Sequence, residues 1–317
     1  MSFPVSQCSV FIQIWVDTNS AKANSTEGIY IVDNRVSSGS SLEGTSSLMT
    51  TCTLNSFICW QVFSIDPNFE AMGGNLQIQQ IGNSNAWGAS GQPQMVNATT
   101  FTGQVQNGGE AGYQIVLNMQ QPGGSGITLR VNPNINVTTS QVAAALPSKR
   151  ASITPEINVP QIADSTGYYV RVVSATQSIP NPQTQIAIAI DTAFVASLGG
   201  SFVSSGIYMM DNQVNLGSTN EGTSELSTVC NNGSLIGFSV YPIDPNSGDS
   251  VSITGFNVSG GNVFGGSGYP LQETPDYWIG QAVNRGSQVY QIQVKITTGG
   301  LRPVSYYVNW DPYITSR

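Results

Sequence analysis

The feature that most constrains this chain is that much of it is written twice. Gly28-Ile29-Tyr30-Ile31-Val32-Asp33-Asn34 returns as Gly206-Ile207-Tyr208-Met209-Met210-Asp211-Asn212, a shift of 178 positions, and Glu43-Gly44-Thr45-Ser46 returns at the same shift as Glu221-Gly222-Thr223-Ser224. Across 28–48 and 206–226, 13 of 21 positions are identical, far beyond chance pairing, so the repeat is a duplication rather than shared composition. Leu48 and Cys52 fall on Leu226 and Cys230, and Ile65-Asp66-Pro67-Asn68 on Ile243-Asp244-Pro245-Asn246. With small gaps the match extends to Val16-Asp17-Thr18 with Ile190-Asp191-Thr192 and to Tyr113-Gln114-Ile115 with Tyr290-Gln291-Ile292. The expected organisation is a first domain over 1–139, a connector over 140–181 and a second domain over 182–317. The connector carries Pro147, Pro155, Pro160 and Pro180, which favour an extended spacer. Within it, Gln141–Leu146 reads as a helical turn or two and Tyr168–Val173 as a strand. Its dibasic Lys149-Arg150 is expected to be the first site of tryptic cleavage.

Each repeat reads as all-β. Runs such as Phe57–Phe63 and Ile186–Ile190 are rich in strand formers, no window holds a helical period for long, and only 9% of residues are charged. Polarity must then come from Ser, Thr, Asn, Gln and Gly, which serve turns and strand surfaces better than helices. Strands are expected at 9–16, 28–33, 57–65, 76–81, 113–118 and 127–132, and at 184–190, 206–211, 235–243, 251–256, 289–297 and 304–309. The fold class is therefore two tandem β-sandwich domains of jelly-roll or immunoglobulin-like form.

The net charge of −8 is spread over both repeats, and no basic stripe with interleaved aromatics exists. Such a surface repels phosphate backbones, so no nucleic-acid partner is expected. Cys8, Cys52, Cys59 and Cys230 divide three to one between the repeats, and none forms a C-x-x-C pair. Buried free thiols in a reducing compartment are the expectation. Met1–Ser9 lacks a basic leader region and no run reaches membrane-spanning length, which predicts a cytoplasmic protein; release by a non-classical route stays open.

The chain contains no histidine, which removes Ser-His-Asp and Cys-His catalysis and His-ligated metals. No nucleotide-binding fingerprint stands between a strand and a helix, so no cofactor is expected. Four acids are duplicated: Asp17/Asp191, Asp33/Asp211, Glu43/Glu221 and Asp66/Asp244. Asp33-Asn34 and Asp66-Pro67-Asn68 read as turn caps. Asp17 and Asp191 close apolar strands, where an acid must find donors or a cation. With Glu43 and Glu221 they form the candidate ligand-binding set, and no resident metal is expected because no calcium-loop spacing accompanies them. Tyr277 and Trp278 are the candidate sugar-stacking pair, although core packing is the commoner fate of strand aromatics.

The Ile190-Asp191-Thr192 strand end, Gly222–Leu226, Tyr277-Trp278 before Gly280, Tyr290–Val294 and the closing Tyr306–Ile314 together resemble the AidA/PixA family of bacterial inclusion-body proteins. The likeness covers the second repeat well. In the first it persists at Val16-Asp17-Thr18 and Gly44-Thr45-Ser46, with the closing motif reduced to Val131-Asn132-Pro133. The resemblance implies a non-catalytic bacterial protein that accumulates in inclusions, self-associates, and has a virulence or insecticidal role towards a host. Two features depart from that family: it usually has one domain, and its inclusion-forming namesake is rich in Met where this chain has 7. A second reading is a two-site lectin-like or toxin-like protein that binds a host glycan or receptor, with duplication supplying avidity. A glycoside hydrolase working through paired acids ranks third.

Overall fold

The computed structural model describes residues 2–139 and 181–317; the expectations for 140–180, including the helical turn, the strand and the dibasic site, lie outside the described residues. In the first half the strands are β1 (Val10–Val16), β2 (Ile29–Asp33), β3 (Met49–Thr53), β4 (Phe57–Ser64), β5 (Asn75–Ile81), β6 (Gln94–Asn97), β7 (Thr100–Gln104), β8 (Gly109–Gly112), β9 (Ile115–Gln120), β10 (Gly126–Val131) and β11 (Asn134–Thr138). The second half has β12 (Thr184–Ile190), β13 (Ile207–Asp211), β14 (Ser227–Cys230), β15 (Leu235–Pro242), β16 (Ser250–Gly260), β17 (Leu271–Thr274), β18 (Tyr277–Gln281), β19 (Gly286–Thr297), β20 (Ser305–Trp310) and β21 (Tyr313–Ser316). All twelve expected strands are present to within a few residues. One α-helix was not expected, α1 (Thr192–Leu198), started by Asp191 and closed by Gly199 in the left-handed region. No helix among the described residues is long and apolar enough to cross a membrane.

Each half is a sandwich with the same inner sheet. The orders are β2-β1-β4-β7-β6 and β13-β12-β15-β18-β17, with β1 parallel to β4 and β12 parallel to β15. The outer layer differs in continuity. In the second half β19 runs unbroken and carries β21 along Gly286–Val289 and β20 along Ile292–Thr297. In the first half the same path is cut into β8, which pairs with β11, and β9, which pairs with β10, leaving two three-stranded sheets.

The two inner sheets pack back to back, which makes four layers. Val10, Ile12, Ile14 and Val16 point into the first core and Ile186, Ile188 and Ile190 into the second, while Phe11, Trp15, Ala187 and Ala189 share a third cluster between the halves with Tyr30, Val32, Cys59, Tyr208, Met210 and Ile243. Every residue of β1, β2, β12 and β13 is consequently buried. Burial on both faces explains the near-continuous apolar runs in these strands. Trp15 stacks on Phe63 at 4.9 Å between ring centroids and meets Tyr241 across the seam at 5.0 Å. Gln13, fully buried beside it, accepts from Trp15 Nε1 and donates to the carbonyls of Pro242 and Ile243, so its polar groups are satisfied. All four cysteines are buried free thiols.

Candidate functional site

The seam between the inner sheets gathers the duplicated acids. Gly44 and Gly222, equivalent positions of the two repeats, touch backbone to backbone, both with φ of +74°. A β-carbon on Gly44 would lie 2.4 Å from the Gly222 α-carbon, and one on Gly222 would lie 2.2 Å from the Gly44 α-carbon. A reciprocal contact between equivalent residues marks a local two-fold axis. The residues just before these glycines, Glu43 and Glu221, flank that axis.

Around it the acids form two related clusters, each built from both halves. Asp33 and Glu43 meet within the first half, where Asp33 N donates to Glu43 Oε2 at 2.9 Å and Ser40 Oγ donates to Asp33 Oδ2 at 2.9 Å. Asp191 and Tyr208 of the second half lie within electrostatic reach of that pair. The counterpart is Asp211 with Glu221, where Asp211 N donates to Glu221 Oε2 at 2.8 Å, and Asp17 and Tyr30 approach from the first half. Asp33 and Asp211 also accept from Arg35 N and Gln213 N, the turn-capping role expected of them, as Asp66 and Asp244 accept from Asn68 N and Asn246 N.

Local sequence explains how the strand-ending acids differ. Asp191 Oδ1 accepts from Phe194 N at 3.1 Å and so caps α1. Asp17 Oδ1 accepts from Asn19 N and Ser20 N in a tight turn that forms no helix, and Ser20 Oγ stands near the carboxylate without reaching hydrogen-bond alignment. Both acids are sealed, 0% and 3% exposed.

The electrostatics follow from burial. Desolvation is the largest influence on every one of these carboxyls and raises all of them; Asp191 is pushed up to about 7. Within each pair the neighbouring carboxylate adds to the rise, so Glu43 and Glu221 hold their protons well above neutrality and share them with Asp33 and Asp211. Glu43 Oε1, Glu221 Oε1, Asp191 Oδ2 and Tyr208 Oη are buried and meet no hydrogen-bond partner among the described residues. Among those residues no group of three or more Cys, Asp or Glu side chains is placed to hold a metal ion.

Thus the structure brings Asp17 together with Glu221 and Asp191 together with Glu43, each pair spanning the halves. Tyr277 and Trp278 lie apart on β18. Tyr277 is buried, with its hydroxyl 3.3 Å from Gln185 Oε1, and Trp278 is half-buried against Phe256 at 5.5 Å between centroids. A separate open cleft of about 590 Å³ in the first half is lined by Asn83, Ser84, Asn85, Gln92, Asn107 and Glu110. Sequence reasoning did not mark it, because single amide residues scattered over loops form no motif.

Fold and seam define a class: a duplicated all-β protein whose two sandwiches pack back to back over an apolar seam that also holds buried acids. The chain belongs to the family described as a domain of unknown function (DUF8788), which it matches over 8–125 and again over 182–302. No curated protein matches it. Among solved structures, an inclusion body protein (PixA) from Burkholderia cenocepacia J2315 is similar at 19% identity, covering 42% of this chain and 94% of that chain with a TM-score of 0.36. A copper nitrite reductase from Nitrosomonas europaea is similar at 10% identity, covering 94% and 92% with a TM-score of 0.19. Likenesses this slight carry no argument about function.

Proposed function

We propose that this chain is a non-catalytic structural protein of the inclusion-body or storage type. The observation that carries the reading is the position of the duplicated acids, the residues best able to do chemistry: they are locked in the seam, where no substrate reaches them without parting the halves. Acid catalysis needs a carboxyl within hydrogen-bond reach of the reacting group. The one ion pair among the described residues, Lys22 to Glu27 at 3.8 Å, is exposed. Edge strands β6 and β17 leave Met95, Val96 and Leu271 in solvent, which offers backbone and apolar surface for lateral self-association. The motif resemblance to AidA/PixA proteins points the same way. Fractionation and electron microscopy of the producing cell test it: the protein is expected in sedimenting particles, and a wholly dispersed chain would overturn the reading.

The polar cleft favours one second reading, a carbohydrate-binding module, because amide and hydroxyl groups with Glu110 suit sugar hydroxyls. Glycan binding that is lost in Glu110→Ala would support it.

A further inference from the structure

We propose that the seam is a proton-held latch: the halves stay closed while Glu43 and Glu221 are protonated, and part as two still-folded sandwiches when alkali removes those protons. The inference goes beyond the storage reading and is independent of it.

The geometry carries the argument. In each cluster two acids of one half, joined through a backbone hydrogen bond beside the Gly44–Gly222 contact, stand near a third acid and a tyrosine of the other; the first cluster also feels the Arg35 cation. Glu43 meets Asp33 from its own half, with Asp191 and Tyr208 across the seam; Asp244 and Arg35 also act on Asp191. Glu221 meets Asp211 from its own half, with Asp17 and Tyr30 across the seam, and Glu27 acts on both of these. The Arg35 charge acts on Asp191, and its buried Nε meets no hydrogen-bond partner among the described residues. Cys52 and Tyr113 behind Asp33, and Cys230 and Tyr290 behind Asp211, are held neutral by burial.

One proton per pair lets each Glu–Asp couple share a hydrogen bond. Removing it leaves adjacent carboxylates in a dry seam with a third across the axis, charges that neither water nor a paired cation compensates. Because Asp191 and Asp17 sit on the opposite half from the glutamate each opposes, separating the halves hydrates every member at once. Each half keeps its own apolar core when that happens.

The sign follows from linkage. These carboxyls bind protons more tightly folded than unfolded, so their contribution is complete below the ordinary range near 4 and 4.5. It is lost as pH rises, through the Asp211 value of about 6, then the Asp191 value of about 7, and finally through those of Glu43 and Glu221.

Small-angle scattering and far-UV circular dichroism on the full chain, titrated from acid to alkaline pH, test the latch. The maximum dimension is expected to grow reversibly above neutrality while the β signal persists. The double variant Glu43→Gln with Glu221→Gln, which copies the protonated state, is expected to open about one pH unit higher or more. A chain that stays compact until its β signal collapses would overturn the proposal, as would opening that ignores the double variant. Should that variant fail to fold, infrared spectroscopy of the unaltered protein decides. A protonated-carboxyl band persisting at mildly alkaline pH and fading as the particle expands supports the latch, and its absence there overturns it.

Discussion

The two halves solve one packing problem with different side chains. Behind the inner sheet the first half sets Trp60, Trp87 and Tyr113 edge to face, and the second sets Phe238, Phe264 and Tyr290 in the same places. Trp60 Nε1 donates to Tyr113 Oη at 3.1 Å. Phe238 has no N–H to give, and Tyr290 Oη is fully buried with no partner among the described residues. On the seam side the contrast reverses in kind: Phe11, Gln13 and Trp15 of β1 stand where β12 has Gln185, Ala187 and Ala189. Equivalent strands meeting across a two-fold axis cannot both present indoles, so one half grew large and the other small. The equivalent residues that touch each other across the axis are ones from which nothing protrudes, Gly44 and Gly222.

That contrast can be broken most severely at the glycines. Gly44→Ala adds a β-carbon 2.4 Å from the Gly222 α-carbon at a left-handed φ, and Gly222→Ala does the same in reverse. Conformational strain and overpacking together predict a loss of about 2–5 kcal/mol for either, read by denaturant unfolding. Unequal costs would show that the axis is less symmetric than the contact implies.

The aromatic clusters sharpen the comparison with opposite signs. Tyr113→Phe strands a buried indole N–H and is expected to cost about 1–3 kcal/mol, whereas Tyr290→Phe deletes a hydroxyl that already lacks a partner and is expected to be neutral or stabilising. Matching losses at both positions would mean that Tyr290 has a partner after all.

The smallest effect separates the acid clusters. Arg35 stands where the second repeat has Gln213, and its charge eases the ionisation of Asp191 against the larger effect of burial. Arg35→Gln should therefore raise Asp191 further. Stability near pH 8 should fall by less than about 1 kcal/mol, with little change near pH 4, where Asp191 is protonated either way. Parallel thermal melts at the two pH values measure it.

Much of the scaffold was legible in the sequence, because strands with a buried face are rich in Val, Ile and aromatics. The missed strands β3, β6, β7, β8, β11, β14, β17, β18 and β21 are short, and several are edge or polar segments such as Gln94–Asn97 and Gly109–Gly112, whose ladder depends on a neighbour rather than on composition. Helix α1 carried its signals, Asp191 before it and Gly199 after it, but seven residues are too few to display a period. The repeat singled out Asp17, Glu43, Asp191 and Glu221. Their partnership was not legible, since which acid opposes which is decided by how two finished sandwiches dock, and no local pattern records that.

The touching glycines also bear on stoichiometry. An axis of this kind ordinarily relates two separate molecules, whose union weakens on dilution. Here both surfaces sit on one chain, so the encounter is intramolecular and its effective concentration is set by the tether instead of by the amount of protein. Dilution cannot open the seam. The unlike faces also discourage exchange between chains: two first halves would each bring Phe11 and Trp15 to the seam, and two second halves would each bring only Ala187 and Ala189 from the equivalent strand. Joining the repeats has turned what could have been a dimer's equilibrium into a fixed one-to-one pairing of unlike halves.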